Sequence, residues 1–181
     1  GEKDMQAWIT VDENYLNYLR SFESKIPNSN YGADKMKPFF GILFETDGLV
    51  YVTQVSHLKP RHVKMKDSVD FRKVYIPNAN PNLPDRPVAV VNLNYMFPIP
   101  KALVTPLAYR DIDKCRTFSS NVERSKYVDL LIKEIASINK MGIERLARKV
   151  YELKSNYPDA VVSKRCFDFK TLEEKARVYQ Q

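Results

Sequence analysis

The chain has 181 residues, 44% of them hydrophobic and 12% aromatic, which excludes a wholly disordered protein because that much apolar surface offsets chain entropy. Lysine and arginine outnumber aspartate and glutamate by 29 to 22, and the resulting charge of +7 favours a polyanionic partner without choosing between nucleic acid, an anionic membrane and ordinary solubility. Cys115 and Cys166 are too few for a disulfide framework, and no run of about 18 apolar residues offers a membrane span. The expectation is one non-exported cytoplasmic domain over residues 5–181, with no membrane partner; Gly1 to Asp4 are set aside as an added leader ahead of Met5.

In chain order, Gln6 to Val11 reads as a strand, and Asp12 as the N-cap of a helix with Tyr15, Leu16, Leu19 and Phe22 at helical spacing. Lys25 to Met36, with Pro27, Asn28, Asn30 and Gly32, is a loop long enough to drape over a site. Pro38 to Thr46 and Leu49 to Val55 flank Asp47-Gly48, a pair that tolerates positive φ and so predicts a tight hairpin. A polar basic loop then runs to Lys66, followed by a strand from Ser68 to Ile76, a Pro/Asn-rich loop from Pro77 to Pro87 and a buried-type strand from Val88 to Leu93. Pro98 and Pro100 confine the chain to extended or edge conformations, with a further short strand at Ala102 to Val104. The rest is helical. Ser120-Asn121-Val122-Glu123 forms a capping box for a helix bearing Tyr127, Leu131, Ile135 and Ile138 on one face. After a break at Gly142, a second helix aligns Ile143, Leu146, Ala147, Val150 and Tyr151; Pro158 ends it, and a last helix spans about Lys170 to Tyr179. Short strands followed by a helical hairpin predict an α+β fold on a small, twisted antiparallel sheet.

The charge excess is local. Lys59, Arg61, Lys64, Lys66, Arg72 and Lys73 stand against only Asp67 and Asp70, with His57 and His62 among them. Such a segment can neutralise RNA phosphates, although it reads equally as a solvated basic loop. Cutting a phosphodiester without metal requires a group that accepts the 2′-hydroxyl proton, one that protonates the leaving 5′-oxygen, and cations that stabilise the phosphorane. Thr53, Ser56, His57 and Lys59 lie together at a strand end leading into this loop. Imidazole titrates at about pH 6.5, so His57 is a candidate acid or base. Lys59, and Lys37 at the start of the paired strand, can stabilise developing charge, while Ser56 or Thr53 donates hydrogen bonds. Lys59 is a second candidate for proton transfer. Arg61, His62, Lys64, Lys66, Arg72 and Lys73 are the candidate RNA-binding residues. No helical two-histidine motif, carboxylate cluster or phosphate-cradling glycine loop is present, so no metal and no cofactor are expected. Each cysteine reads as a core thiol. The same features also suit a non-catalytic RNA-binding module, or an adaptor whose basic loop meets an acidic protein.

Five segments in order resemble the ToxN/AbiQ family of type III toxin-antitoxin ribonucleases. Tyr15 to Phe22 with Lys25-Ile26-Pro27 is similar to the family's opening helix and loop, and Lys37 to Ile42 to its next strand. Tyr51 to Val55 followed by Ser56-His57-Leu58-Lys59 resembles its tyrosine-containing strand and hydroxyl-x-x-lysine segment. Val91 to Ile99 is similar to its strand ending in Met-x-Pro. Cys166 to Phe169, Leu172 to Lys175 and Tyr179 resemble its closing signature. The resemblance implies a partly open barrel similar to the MazF/Kid toxins. It implies metal-independent cleavage at adenine-rich sites, leaving a 2′,3′-cyclic phosphate on cellular and phage RNA. It implies inhibition by an RNA pseudoknot that the toxin cuts from its own repeat transcript, in closed, commonly trimeric rings, and a role in growth arrest and abortive infection. By position it places Lys37, Ser56, Lys59 and Tyr31 on the active site. His57 departs from the serine or threonine expected there.

Overall fold

The computed structural model describes residues 5–28 and 35–179. The first strand, β1 (Ala7–Val11), ends at Asp12, whose carboxylate accepts a hydrogen bond from the Tyr15 N–H at 2.9 Å and so starts α1 (Glu13–Arg20). Tyr15, Leu16 and Leu19 are buried as expected. Phe22 is not on the helical stripe: the helix is capped at Ser21, and the Phe22 ring instead packs on Tyr18 with the Lys175 ammonium 4.5 Å from its centroid.

The expected hairpin joins β2 (Phe39–Thr46) to β3 (Leu49–His57), with φ of 48° at Asp47 and 80° at Gly48, the two positive values that a two-residue turn of type I′ needs. β3 is the hub of the sheet. One edge pairs with β2; the other pairs first with β6 (Phe97–Pro100) and then with β5 (Arg86–Asn92), two strands in line separated by a short 3₁₀ turn at Leu93–Tyr95. Beyond β5 lies β4 (Phe71–Ile76); beyond β2 lie β1 and then β7 (Val104–Pro106). All pairings are antiparallel, and among the described residues the outer strands β4 and β7 leave this seven-stranded sheet open.

Three local expectations shift. The polar loop before Lys66 contains a one-turn helix, α2 (Pro60–Val63), because Pro60 presets the helical φ and the His62 ring caps the turn. Ser68 to Asp70 form a turn, with Ser68 N–H donating to the Phe71 carbonyl, so β4 starts later than Ser68. Ala102 belongs to a 3₁₀ turn, Lys101–Leu103, ahead of β7.

Ser120 accepts a hydrogen bond from Glu123 N–H at 3.2 Å and opens α3 (Asn121–Ile138). The helix packs over β4 and is fixed to β1 by the Trp8 indole N–H, which donates to the Leu131 carbonyl at 2.9 Å, and by paired hydrogen bonds between Gln6 and Asn139. Gly142, at φ 64°, leads into α4 (Ile143–Asn156), which packs on β2 and on α5 (Val161–Arg165). The final helix, α6 (Phe169–Arg177), covers β6 and β3. Its buried Glu173 accepts hydrogen bonds from the Tyr51 and Tyr151 hydroxyls at 2.6 and 2.7 Å, which gives the Leu172 to Lys175 segment a structural role under the sheet. Both cysteines are free thiols; Cys166 is buried, whereas Cys115 is only half-buried. No helix among the described residues is long and apolar enough to cross a membrane.

Candidate functional site

Side chains alternate between the faces of a strand, and at the end of β3 this decides the site. Ser56 pairs with Val90 on β5, and the face carrying Gln54, Ser56, Val90 and Asn92 forms one wall of a cleft of about 380 Å³. Lys37 lines this cleft from the strand entry beside β3, Lys25 from the loop after α1, and Lys59, Arg61 and His62 from the start of α2. Thr53 also lines it but is buried, its hydroxyl donating to the Asn92 carbonyl at 3.3 Å where β3 changes partner from β6 to β5. Among the described residues the cleft therefore gathers four cations and no carboxylate. Among the described residues no group of three or more His, Cys, Asp or Glu is placed to hold a metal ion.

His57 does not join them. One residue beyond Ser56, it shares the opposite face with Val55 and Ala89, where it lines a second depression of about 600 Å³ under α3. The imidazole in the cleft is that of His62, 6% exposed and packed on Phe71. Its Nδ1 accepts the Lys59 N–H at 2.9 Å, which places the proton of the neutral ring on Nε2. Burial first, and then the charges of Arg61 and Lys59, hold its pKa below the ordinary 6.5. The ring thus fixes the turn that presents Lys59.

Two residues missed in the sequence complete the cleft. The Gln54 carboxamide donates to the carbonyls of Asn28 and Lys37, the latter at 3.0 Å, and ties both ends of the intervening loop to β3. Arg20 holds the same loop through the carbonyls of Ile26 and Pro27 and the Asn28 side chain. Tyr95, 41% exposed and packed on Phe167, offers an aromatic face beside the cations. Its signal was its place in the Val91 to Ile99 segment. Tyr31 lies outside the described residues.

The remaining basic residues divide. Lys64 and Lys66 are exposed. Arg72 pairs with Asp67 at 3.8 Å, and the Lys73 ammonium donates to the Val63 carbonyl at the end of α2, so both also brace the segment between α2 and β4. Asp70 is buried in a bidentate pair with Arg165, 3.0 Å for each contact, which anchors α5 to the start of β4.

The chain that builds this cleft on an open antiparallel sheet is similar to proteins of known family and structure. Residues 7–177 match the family described as Toxin ToxN, type III toxin-antitoxin system. The chain belongs to this toxin family. Over 172 residues it is 27% identical to endoribonuclease ToxN of Pectobacterium atrosepticum, covering 94% of this chain and 91% of that relative. AbiQ, a lactococcal anti-phage endoribonuclease of a type III toxin-antitoxin system, superposes with a TM-score of 0.73 at 22% identity, covering 97% of this chain and 98% of AbiQ. A structure from work on selective toxin inhibition by a non-coding RNA pseudoknot in bacterial type III systems superposes with a TM-score of 0.72 at 20% identity, covering 96% and 97%. This ToxN-family chain shares their fold along nearly its whole length.

Proposed function

We propose that this toxin is a metal-independent endoribonuclease whose cutting centre is the cleft around Lys37, Ser56 and Lys59. The observation that carries the reading is the gathering of Lys25, Lys37, Lys59 and Arg61 around Ser56, a lining that among the described residues holds no carboxylate. In the proposed reaction the ribose 2′-oxygen attacks the adjacent phosphorus and its proton passes to Lys59. The bond from phosphorus to the 5′-oxygen breaks and that oxygen takes the proton back from Lys59, giving a 2′,3′-cyclic phosphate and a 5′-hydroxyl. Lys37 and Arg61 stabilise the extra charge of the phosphorane, the Ser56 hydroxyl positions a phosphate oxygen, and Tyr95 stacks on a neighbouring base. Thr53 holds the strand junction through Asn92. Lys64, Lys66, Arg72 and Lys73 extend the positive surface along the RNA.

The family and its relatives support an RNA pseudoknot antitoxin and an anti-phage role. To these the proposal adds that the toxin processes its antitoxin from a repeat transcript, that the two form a closed ring of three toxins and three RNAs, and that the system acts in the cytoplasm through growth arrest and abortive infection. Adenine-rich cellular and phage RNAs are the proposed substrates. The switch of β3 from β6 to β5 favours a MazF/Kid-like, partly open barrel as the core; α3 and α4 follow one another across residues 139–142 but pack on different strands, β4 and β2, rather than on each other as the expected hairpin.

Incubating the purified toxin with adenine-rich RNA in EDTA tests this reading. Fragments ending in a cyclic phosphate are the expected product. Shifted RNA mobility with intact RNA would instead mark a binding module.

A further inference from the structure

His62 keeps one bonding capacity that the fold does not use. Its Nδ1 is taken up by the Lys59 N–H at 2.9 Å, and its ring lies against Phe71 with centroids 5.8 Å apart. The other ring nitrogen, Nε2, has no partner among the described residues. Nor is Nε2 one of the polar atoms sealed away unpartnered inside the fold, although the residue as a whole is only 6% exposed. The opening it keeps is the cleft, which His62 lines beside Lys59 and Arg61. Buried polar groups are almost always satisfied, so a fixed donor left open on a cation-lined cleft points to an anionic acceptor brought by the ligand.

The bond at Nδ1 also decides what kind of group this is. A neutral ring that accepts there carries its proton on Nε2. It can take a second proton only by breaking the cap on α2, and loss of the Nε2 proton would leave an imidazolate, which ordinary histidine chemistry does not reach. The ring is therefore neither the base nor the acid. We propose that His62 is a catalytic residue that donates its Nε2–H to a non-bridging oxygen of the scissile phosphate, a bond that strengthens as charge builds in the phosphorane. The proposal rests on the cleft being the cutting centre. Burial and the charges of Arg61 and Lys59, which hold the imidazole below its ordinary 6.5, keep the ring in the neutral form that this tautomer requires. Proton transfer is left to Lys59, whose backbone the same ring holds in place.

Two measurements test this. The first uses the unmodified protein, so it does not depend on any variant folding. The chain has two histidines, and nitrogen NMR of histidine-labelled protein follows both imidazoles, with His57 as the internal control. Free His62 should show a bare Nδ1 and a protonated Nε2. A short 2′-O-methyl oligoadenosine, which cannot be cut, should move the Nε2–H resonance downfield and leave Nδ1 bare. A proton on Nδ1 in the free protein, or an Nε2–H that the RNA does not move, overturns the proposal. The second measurement is single-turnover cleavage of RNAs in which sulfur replaces one or the other non-bridging oxygen of the scissile phosphate. One of the two diastereomers should be cut about tenfold more slowly than the oxygen form, because sulfur is a poor acceptor for the Nε2–H. His62→Asn keeps an acceptor for the Lys59 N–H but loses the donor. It should slow cutting of the oxygen form by about a hundredfold and abolish the sensitivity to that sulfur, which a residue that merely holds α2 would leave intact. An unchanged rate or an unchanged preference between diastereomers in His62→Asn overturns the proposal. If the unmodified protein cut none of these RNAs while the Nε2–H still shifted, the endoribonuclease reading would fail instead.

Discussion

His62 and Glu134 are buried on opposite sides of β3, and burial displaces their titrations in opposite directions. The unfolded imidazole takes a proton below 6.5 while the native His62 resists it, so its effect on stability is a loss as pH falls below that value. The native Glu134 carboxyl keeps its proton up to about 7, whereas the unfolded one loses it above 4.5; its contribution is fully present below 4.5 and is lost as pH rises through 7. Urea midpoints measured across this range should therefore separate the two. Glu134→Gln should remove a decline between 4.5 and 7, and His62→Asn, which retains an acceptor for Lys59 N–H, should remove one below 6.5. Curves parallel to the unmodified protein would show that neither buried group titrates as described. His57 illustrates what residue-level reading of the sequence lacked. It adjoins Ser56 in the chain, but neighbours on a strand point to opposite faces, and the useful face is defined only once β5 and α3 are in place.

At the scale of elements, the legible features were those with local chemistry. Asp12 and Ser120 cap their helices, Asp47-Gly48 makes its turn, and Gly142 sits in the left-handed region that halts the chain between α3 and α4. Replacing Asp12 by alanine should lower stability by about 1 kcal/mol, measured by denaturant unfolding. The one-turn α2, the short α5 and the 3₁₀ segments were not legible, because a stretch of one turn shows no helical periodicity; tertiary partners such as the His62 cap define them. The same holds for Glu173, whose place in a charged helix hides that its carboxylate is buried between two tyrosines. Tyr51→Phe removes one of those donors from a buried acceptor and should cost about 1–3 kcal/mol, with RNA affinity preserved because the pair lies under the sheet, away from the cleft. A stability unchanged from the parent would mean that the Tyr151 hydroxyl alone satisfies Glu173.

Across the whole molecule, the sheet and the loop after α1 bring together residues that are distant in sequence: Lys25, Lys37, Ser56, Lys59 and Tyr95 line one cleft. The surplus of basic residues between Lys59 and Lys73 was visible from composition, but its partition was not. Arg61 faces the cleft, whereas Arg72 and Lys73 also brace their own segment. With four cations lining the cleft, affinity for single-stranded RNA should fall with a log–log salt slope of about −3, checked by titration at several ionic strengths. A slope near zero would remove the cleft from RNA binding. The central claim is that Lys59 moves protons there, and single-turnover cleavage of RNA in EDTA by Lys59→Ala tests it most directly. We expect cutting to slow by about a hundredfold or more while RNA binding weakens only modestly. Cleavage at the unmodified rate, with the same fragment ends, would contradict it.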